Sequence, residues 1–464
     1  MVVGSCGDDN SSSSKTSPKK GPKIVSGHKK EESVYVSKLT LTDFRCYSRA
    51  VLAPKCNRPL VILTGPNGAG KTNILEAISY LAPGRGLRRA GHADVARQTR
   101  PAGENGSGKT IGSKDGPEND NDETTGESID KPLQPIGSWA VAATLNVGSE
   151  PVKVGTGIEG KAQETTTKRT VRIDGNTVAN SNMLGERWSI SWLTPQMDRL
   201  FIEGPASRRR FLDRMVLGLF PDHSRQVGAY ERAMRERNRL LAEKGPAADP
   251  AWLNALETRM GEHGVAVAVA RLEFAGQLAG QLANADTGPF PKAELAIDGW
   301  LEGLIAGAMP AVEAEQAFRE RLRAERSGQR SDGGRAEYGR SEYGRSEYGR
   351  SGSGVHKTDL VVSHAPKAMR ADLCSTGEQK ALLVALVLAN ARLQKALKGQ
   401  APLMLMDEVA AHLDKDRRVA LFEVLASLGS QCWLTGTDAS LFEGVSDKAE
   451  FFNVFDGAVQ PLEA

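Results

Sequence analysis

The sequence is short of features that would place it outside a reducing compartment or across a membrane. Its five cysteines, Cys6, Cys46, Cys56, Cys374 and Cys432, are scattered with no Cys-x-x-Cys pair. That distribution speaks against a disulfide framework or a zinc ribbon and suits a reducing cytosol. No apolar run approaches bilayer-spanning length, and the N-terminus lacks the apolar centre of a signal peptide. A soluble cytoplasmic protein with no membrane partner is therefore expected. Aromatic residues are only 5% of the chain, and few lie along its basic stretches, so stacking on bases is expected to be minor. Net charge is +3, too small for a polycation, which makes any nucleic-acid surface a local one. What is present is 464 residues with 39% hydrophobic content, enough for a real core. A chain of that length has room for about two or three domains.

Two stretches fit the phosphate-loop pattern G-x-x-x-x-G-K-[ST]: GPNGAGKT at 65–72 and GENGSGKT at 103–110. Such a loop needs a strand to deliver it and a helix to begin at its end, because backbone N–H groups and the helix dipole together hold the phosphates. PLVILT precedes Gly65, and after Lys71 the residues Ile74, Leu75, Ile78 and Leu81 recur at helical spacing. RQTRPA precedes Gly103, and a polar, acidic segment without apolar period follows it. The second match is read as chance within a flexible loop, leaving one nucleotide site per chain.

Residues 1–32 read as a disordered tail, and 33–204 as the first part of an α/β domain with a flexible acidic insertion at 99–135. Residues 205–326 read as a mainly helical lid subdomain, opening at PASRRRFLDRMVLGLF. A pentapeptide repeat (GRAEY, GRSEY, GRSEY) fills a low-complexity loop at 327–354, and 355–464 returns to strands. One α/β P-loop domain built from both chain ends, with the helical subdomain inserted, explains this order.

Three elements carry chemistry. Lys71 is expected along the β- and γ-phosphates and the Thr72 hydroxyl on Mg²⁺. PLMLMDEV reads as a buried parallel strand ending in two carboxylates, Asp407 to hold the metal and Glu408 to polarise an attacking water. In CSTGEQKALLVALVLANARL, Ser375 and Glu378 have capping-box spacing at the head of a buried helix. The same start reads either as an ordinary well-capped core helix or, with Gly377 leaving its N–H groups bare, as a second anion site completed by a partner subunit.

In order, GPNGAGKTNILEA, STGEQK, LMLMDE and AAHLD are similar to the Walker A, signature, Walker B and D-loop motifs of ABC-type ATPases. Within these the chain resembles the branch acting on DNA that includes SMC-type heads, and more narrowly the RecF family of bacterial recombination-mediator ATPases. LTLTDFRCYS, LTPQMDRLFIEGPASRRRFLDR and VHKTDL match that layout, and the resemblance covers about 33–98, 138–326 and 355–462. It implies an ABC-type ATPase head in which Gly65, Pro66, Asn67, Gly68, Ala69, Gly70, Lys71 and Thr72 bind ATP and Mg²⁺. Gln196 would sense the metal and γ-phosphate. Ser375 and Gly377 would touch the γ-phosphate of the partner's ATP, and Asp414 would contact the partner. The implied function is a weak, DNA-stimulated ATPase that dimerises around ATP and clamps DNA. Gapped DNA, repair, replication, the SOS response and the partners RecO and RecR come with the resemblance. Two departures stand out: the signature reads STGEQ, and LTGTD offers Thr437 or Asp438 where many ABC ATPases carry a switch histidine. The missing histidine favours slow hydrolysis. The alternatives are a transporter's ATPase subunit or a nucleotide-gated module without turnover.

Basic residues cluster as Arg208, Arg209, Arg210 and Arg214, and again as Arg232, Arg235, Arg237 and Arg239 among glutamates. The second stretch reads largely as a solvated, salt-bridged face. Arg208, Arg209 and Arg210 are the candidates for DNA phosphates, with the subunit interface as an equal alternative. His356 and His364 read as structural or loop histidines.

Overall fold

The computed structural model describes residues 33–55, 58–99, 134–135, 137–159, 168–284, 288–327 and 352–462. The N-terminal tail, the chance motif at 103–110 and the pentapeptide repeat lie outside these residues.

The first half of the chain builds β1 (Val34–Phe44), β2 (Tyr47–Leu52), β3 (Leu60–Thr64), α1 (Lys71–Ser79), β4 (Gln98–Thr99), β5 (Gln134–Pro135), β6 (Trp139–Val147), β7 (Glu150–Ile158), β8 (Thr170–Ile173), β9 (Asn176–Thr177), α2 (Asn182–Gly185) and β10 (Ile190–Leu193). Strands β2-β1-β6-β7-β8-β9 form one antiparallel sheet, and β4 pairs with β5 separately. Along β1 every second residue is buried for much of its length, the alternation of a half-covered sheet. β7 was not anticipated from its sequence, PVKVGTGI, because glycine weakens the strand signal. Its cause lies in the neighbour: a Cβ on Gly157 would sit 2.2 Å from the Trp139 carbonyl oxygen of β6.

The middle of the chain forms α3 (Pro205–Leu219), α4 (His223–Lys244), α5 (Pro250–Asn284), β11 (Ala293–Asp298), α6 (Trp300–Ala306) and α7 (Ala311–Ala324). It is mainly helical, as expected, but β11 interrupts it and pairs antiparallel with β12 (Asp359–His364), which in turn pairs with β13 (Met369–Arg370). TDLVVSH thus belongs to this small sheet and not to the parallel core. Buried ion pairs tie the region together. Arg271 of α5 holds Asp213 of α3 through two bonds of 2.9 and 3.0 Å, and Glu302 of α6 at 3.1 Å. Arg237, expected on a solvated face, is buried against Glu257 at 2.9 Å. His356 bonds Tyr230 at 2.7 Å and His364 is buried, and no cluster of metal-ligating residues occurs among the described residues.

The C-terminal part adds α8 (Thr376–Lys398), β14 (Leu403–Met406), α9 (Lys415–Ser427), β15 (Cys432–Gly436), β16 (Ala449–Phe455) and β17 (Ala458–Leu462). The second sheet runs β10-β14-β15-β3-β16-β17, parallel except for the final hairpin at Asp456-Gly457. β3, from the N-terminal part, lies between two C-terminal strands, so neither half can complete the sheet alone. α1 packs Ile74, Leu75 and Ile78 into the core between the sheets, whereas α8 packs Leu382, Leu386 and Leu393 into a second core with α3 and α5. Each such buried aliphatic contributes about 1.5–3 kcal/mol.

Candidate nucleotide site

The site lies at the carboxyl ends of the parallel strands, where ligands of open α/β sheets bind. β3 ends at Thr64 and the loop 65–70 turns through positive φ at Gly65 (141°), Gly68 (82°) and Gly70 (111°) before α1 begins. Two of these glycines are also required by close approach. A Cβ on Gly65 would lie 2.1 Å from the Val454 carbonyl oxygen, and one on Gly70 would lie 2.5 Å from the Tyr47 hydroxyl. Gly68 faces open space. The turns leave backbone N–H groups around a concavity at the start of a helix, the arrangement that receives phosphate.

Lys71 is 4% exposed, and its ammonium donates to the carbonyls of Gly65 (2.6 Å) and Pro66 (2.8 Å). Burial lowers its pKa, partly offset by the carboxylates of Glu408 and Asp407. The Thr72 hydroxyl contacts both carboxylate oxygens of Asp407, at 2.9 and 3.1 Å. The two motifs, far apart in sequence, are thus joined. Asp407 is 5% exposed and burial raises its pKa, opposed by hydrogen bonds from Thr435 and Thr72. Glu408 stands beside it, half-buried, with a left-handed backbone at φ 53°.

Between the two motif strands runs β15, which brings in a residue that sequence reasoning passed over. Thr435, 1% exposed, donates to Asp407 at 2.8 Å and accepts the Glu408 N–H at 2.8 Å. Thr437 and Asp438, the expected substitutes for a switch histidine, are exposed, and Asp438 accepts the Ser440 N–H in a local turn. The physical reason is register: β15 pairs in parallel with β14 on one side and β3 on the other, which sets Thr435 between their ends. A hydroxyl in an otherwise apolar strand, QCWLTG, was the available signal.

Gln196 lies exposed in the short turn after β10, the strand next to β14. Asp198 of that turn makes an ion pair of 2.7 Å with Lys380, one turn into α8. This link was not anticipated. A shallow cleft lies between Leu193, Pro195, Lys380, Asp407 and Glu408. At the head of α8 the expected capping box is present: Ser375 accepts the Glu378 N–H, and Glu378 accepts the Ser375 N–H at 3.0 Å. Lys367 also pairs with Glu378, and with the two serine bonds this brings the carboxyl down to about 2. Ser375 and Gly377 are exposed, with open space beyond Gly377. Asp414 caps α9, accepting the Arg417 N–H at 2.9 Å, and is exposed.

The donor set fits a magnesium–nucleoside triphosphate. Lys71 is a buried cation whose hydrogen bonds go to neutral carbonyls, at the start of a helix, and Thr72 and Asp407 offer the oxygen ligands that Mg²⁺ takes.

A family model described as an AAA domain matches residues 38–94, the span around the phosphate loop. The chain is 43% identical over 430 residues to the DNA replication and repair protein RecF of Mesorhizobium japonicum, covering 92% of this chain and 98% of the relative. The RecF of Rhizobium rhizogenes is 41% identical over 427 residues with the same coverage. This chain belongs to the RecF family. In fold it is also similar to two solved structures of the recombination mediator protein RecF of the RecFOR pathway. The one with ATPrS gives a TM-score of 0.70 at 16% identity, covering 94% of this chain and 100% of the other. The one with ATP gives 0.67 at 17%, covering 94% and 99%. The ABC-type head inferred from the sequence is therefore the fold observed.

Within this RecF-family chain, the three arginines singled out for DNA do not stand together as a free cluster. Arg208 makes a two-bond pair with Asp359 of β12, 2.7 Å each, and Arg209 donates to the Thr358 carbonyl at 2.8 Å. Both pin α3 to the small sheet. Arg210 is exposed and bonds Ser207 at 2.8 Å. Arg214 lies 4.5 Å above the Trp192 ring, and burial and nearby Arg89 bring its pKa down to about 9. Helix geometry separates these neighbours: adjacent residues point about 100° apart, so a run of arginines cannot share one face.

Proposed function

We propose that this chain is an ATP-dependent DNA clamp of DNA repair and replication. In this reading it dimerises around two ATP molecules and releases DNA after slow, weakly DNA-stimulated hydrolysis. Residues 65–72 hold the phosphates, with Lys71 turning from the Gly65 and Pro66 carbonyls to phosphate oxygens. Thr72 and Asp407 hold Mg²⁺. When bound, Mg²⁺–ATP supplies an activated phosphoanhydride and the Lewis acid that polarises it. Glu408 accepts a proton from the attacking water, Gln196 senses the metal and the γ-phosphate, and Thr435 keeps the Asp407 carboxylate and the Glu408 backbone in place. Ser375 and Gly377 offer hydroxyl and N–H donors to the γ-phosphate of the partner's nucleotide, and Asp414 meets the partner beside it.

The observation that carries the composite site is the state of α8. Its first turn is capped and preformed, yet Ser375 and Gly377 are exposed while the phosphate loop, Asp407 and Thr435 are already assembled elsewhere in the same chain. Family membership carries the role in repair and replication, and gapped DNA, the SOS response and the partners RecO and RecR belong to the proposal on the same ground. The test is oligomer mass against ATP concentration for the wild type, Lys71→Arg and Ser375→Arg, with turnover measured with and without DNA. The expected result is ATP-driven dimers in the wild type alone, with DNA raising turnover. ATP-driven dimers in both variants, or a wild type that stays monomeric, would overturn the composite site. A wild type that dimerises and binds DNA without turnover would instead favour a nucleotide-gated module.

A further inference from the structure

The turn between β1 and β2 sets a thiol against the phosphate loop. Phe44 pairs with Tyr47, so Arg45 and Cys46 make the two-residue turn of a hairpin. Arg45 holds that turn in place. It takes a left-handed backbone at φ 54°, and its guanidinium grips Glu76 of α1 through bonds of 2.9 and 2.6 Å. Its N–H donates to the Val95 carbonyl at 2.9 Å. Cys46 is exposed at the tip, and its sulfur accepts a hydrogen bond from the Asn73 side-chain amide at 3.1 Å. Asn73 follows Thr72 in the first turn of α1, and its side-chain carbonyl accepts from Arg88 at 2.7 Å. A Cβ on Gly70, the residue from which α1 starts, would lie 2.8 Å from the same sulfur. The thiol thus touches the loop residue just before Lys71 and the helix residue just after Thr72.

A second observation comes from the next residue. Tyr47 is fully buried, and its hydroxyl has no hydrogen-bond partner among the described residues. The same Cβ on Gly70 would lie 2.5 Å from that oxygen, so hydroxyl and sulfur converge on one point of the loop. Burial, with the Cys46 thiol beside it, pushes the Tyr47 pKa well up, and the group remains a protonated donor at neutral pH. A buried donor without an acceptor is costly, and a thiol sulfur accepts only weakly. An oxygen atom carried on that sulfur would be a proper acceptor. The other described cysteines differ: Cys374 and Cys432 are buried, their thiols directed at the carbonyls of Arg370 (3.4 Å) and Leu425 (3.5 Å). Oxidation follows exposure, and among the described cysteines only Cys46 is open to solvent.

We propose that Cys46 is a modification site for hydrogen peroxide, oxidised to a sulfenic acid that the Tyr47 hydroxyl stabilises and that weakens ATP binding at the phosphate loop. This rests on the nucleotide-site reading above. The thiolate sulfur attacks one peroxide oxygen: an S–O bond forms, the O–O bond breaks, and the departing oxygen leaves as water with the thiol proton. Sulfur loses two electrons and the peroxide gains them. The new oxygen accepts from Tyr47 and, when ionised, sets a negative charge beside the helix start that receives phosphate. Arg45 and Arg88 share the single carboxylate of buried Glu76, so the neighbourhood favours an anion on the sulfur. Bound nucleotide and oxidised Cys46 therefore oppose each other, and each disfavours the other equally.

The test treats the full chain with hydrogen peroxide in the presence of dimedone, which captures sulfenic acids, and reads each cysteine by peptide mass spectrometry. Cys46 is expected to carry the adduct, Cys374 and Cys432 to stay unlabelled, and Mg²⁺–ATP to suppress the labelling. In parallel, without dimedone, a fluorescent ATP analogue is titrated before oxidation, after it, and after dithiothreitol. Affinity falls by about tenfold, the order expected of one negative charge added near the phosphates at a protein surface, and the reductant restores it. Cys46→Ala binds ATP like the wild type and no longer responds to peroxide. Tyr47→Phe still reacts, but its sulfenic acid passes sooner to the irreversible sulfinic acid, so dithiothreitol recovers a smaller fraction. No adduct at Cys46, an equal loss of affinity in Cys46→Ala, or a Tyr47→Phe protein that recovers as fully as the wild type overturns the proposal. A wild type that binds ATP equally well before and after oxidation of Cys46 overturns it while leaving the nucleotide site in place. A wild type that binds no ATP before treatment removes both.

Discussion

Replacing Thr435 by valine isolates the polar role of the residue that joins the two motif strands. Valine has nearly the same shape, so no cavity opens and no packing is lost. Two bonds disappear: the donor to Asp407 at 2.8 Å and the acceptor for the Glu408 N–H at 2.8 Å. A hydrogen bond to a charged group is worth about 1.5–3 kcal/mol, and a buried N–H left without a partner costs about 1–3 kcal/mol. The two terms overlap because both groups gain some freedom to relax, so the expected loss of stability is about 2–4 kcal/mol. Glu408 must also keep its left-handed backbone, at φ 53°, without the bond that anchors it. Asp407, already raised by burial, loses one of the two hydroxyls that oppose that rise. Its pKa therefore moves further up, and magnesium binding weakens most at acidic pH and recovers as pH rises. Urea denaturation gives the stability, and Mg²⁺ titrations of nucleotide binding across pH give the second effect. Thr437→Val, at an exposed position, serves as control, with a change below about 0.5 kcal/mol expected. A Thr435→Val protein within about 0.5 kcal/mol of the wild type, with the same metal dependence, would refute the reasoning.

Two further predictions concern buried charge. The folded pKa of Asp407 lies above its ordinary value, so its contribution to stability is complete below that value and is lost as pH rises through the folded pKa. Asp407→Asn is therefore expected to raise the melting temperature of the metal-free protein at neutral pH, to lose that advantage near pH 4 or below, and to abolish the stabilisation given by Mg²⁺–ATP. A neutral-pH melting temperature at or below that of the wild type would contradict this. Arg271→Gln leaves Glu302 and Asp213 without their cation, at an expected cost of about 3–5 kcal/mol in denaturation. Against burial, Arg271 and His223 bring the Asp213 carboxyl down to about 2, so its contribution is present above the ordinary value and is lost as pH falls towards 2. The variant should lose that acid dependence; an unchanged acid slope would show that Arg271 does not hold Asp213.

Local pattern was enough for the parts of this molecule that are themselves local. The phosphate loop at 65–72, the apolar strand ending in Asp407 and Glu408, and the Ser375–Glu378 capping box each depend on residues a few positions apart, and each formed as its spacing required. The insertion of a mainly helical block into one α/β head was legible for the same reason, since the period of apolar residues changes at Pro205. Other features belong to the tertiary structure alone. Thr435 gained its role when β15 settled between β14 and β3. Gly157 makes sense only against the Trp139 carbonyl, and β11 only against β12. The arginines show the division most clearly: sequence counts positive charges, but a partner brought from elsewhere in the chain decides which remain free. Arg208 met Asp359 and Arg237 met Glu257, whereas Arg210 stayed exposed. Hydrogen bonds and hydrophobic periodicity act over a few residues of chain, while charge compensation acts through space, and only the folded molecule fixes those distances.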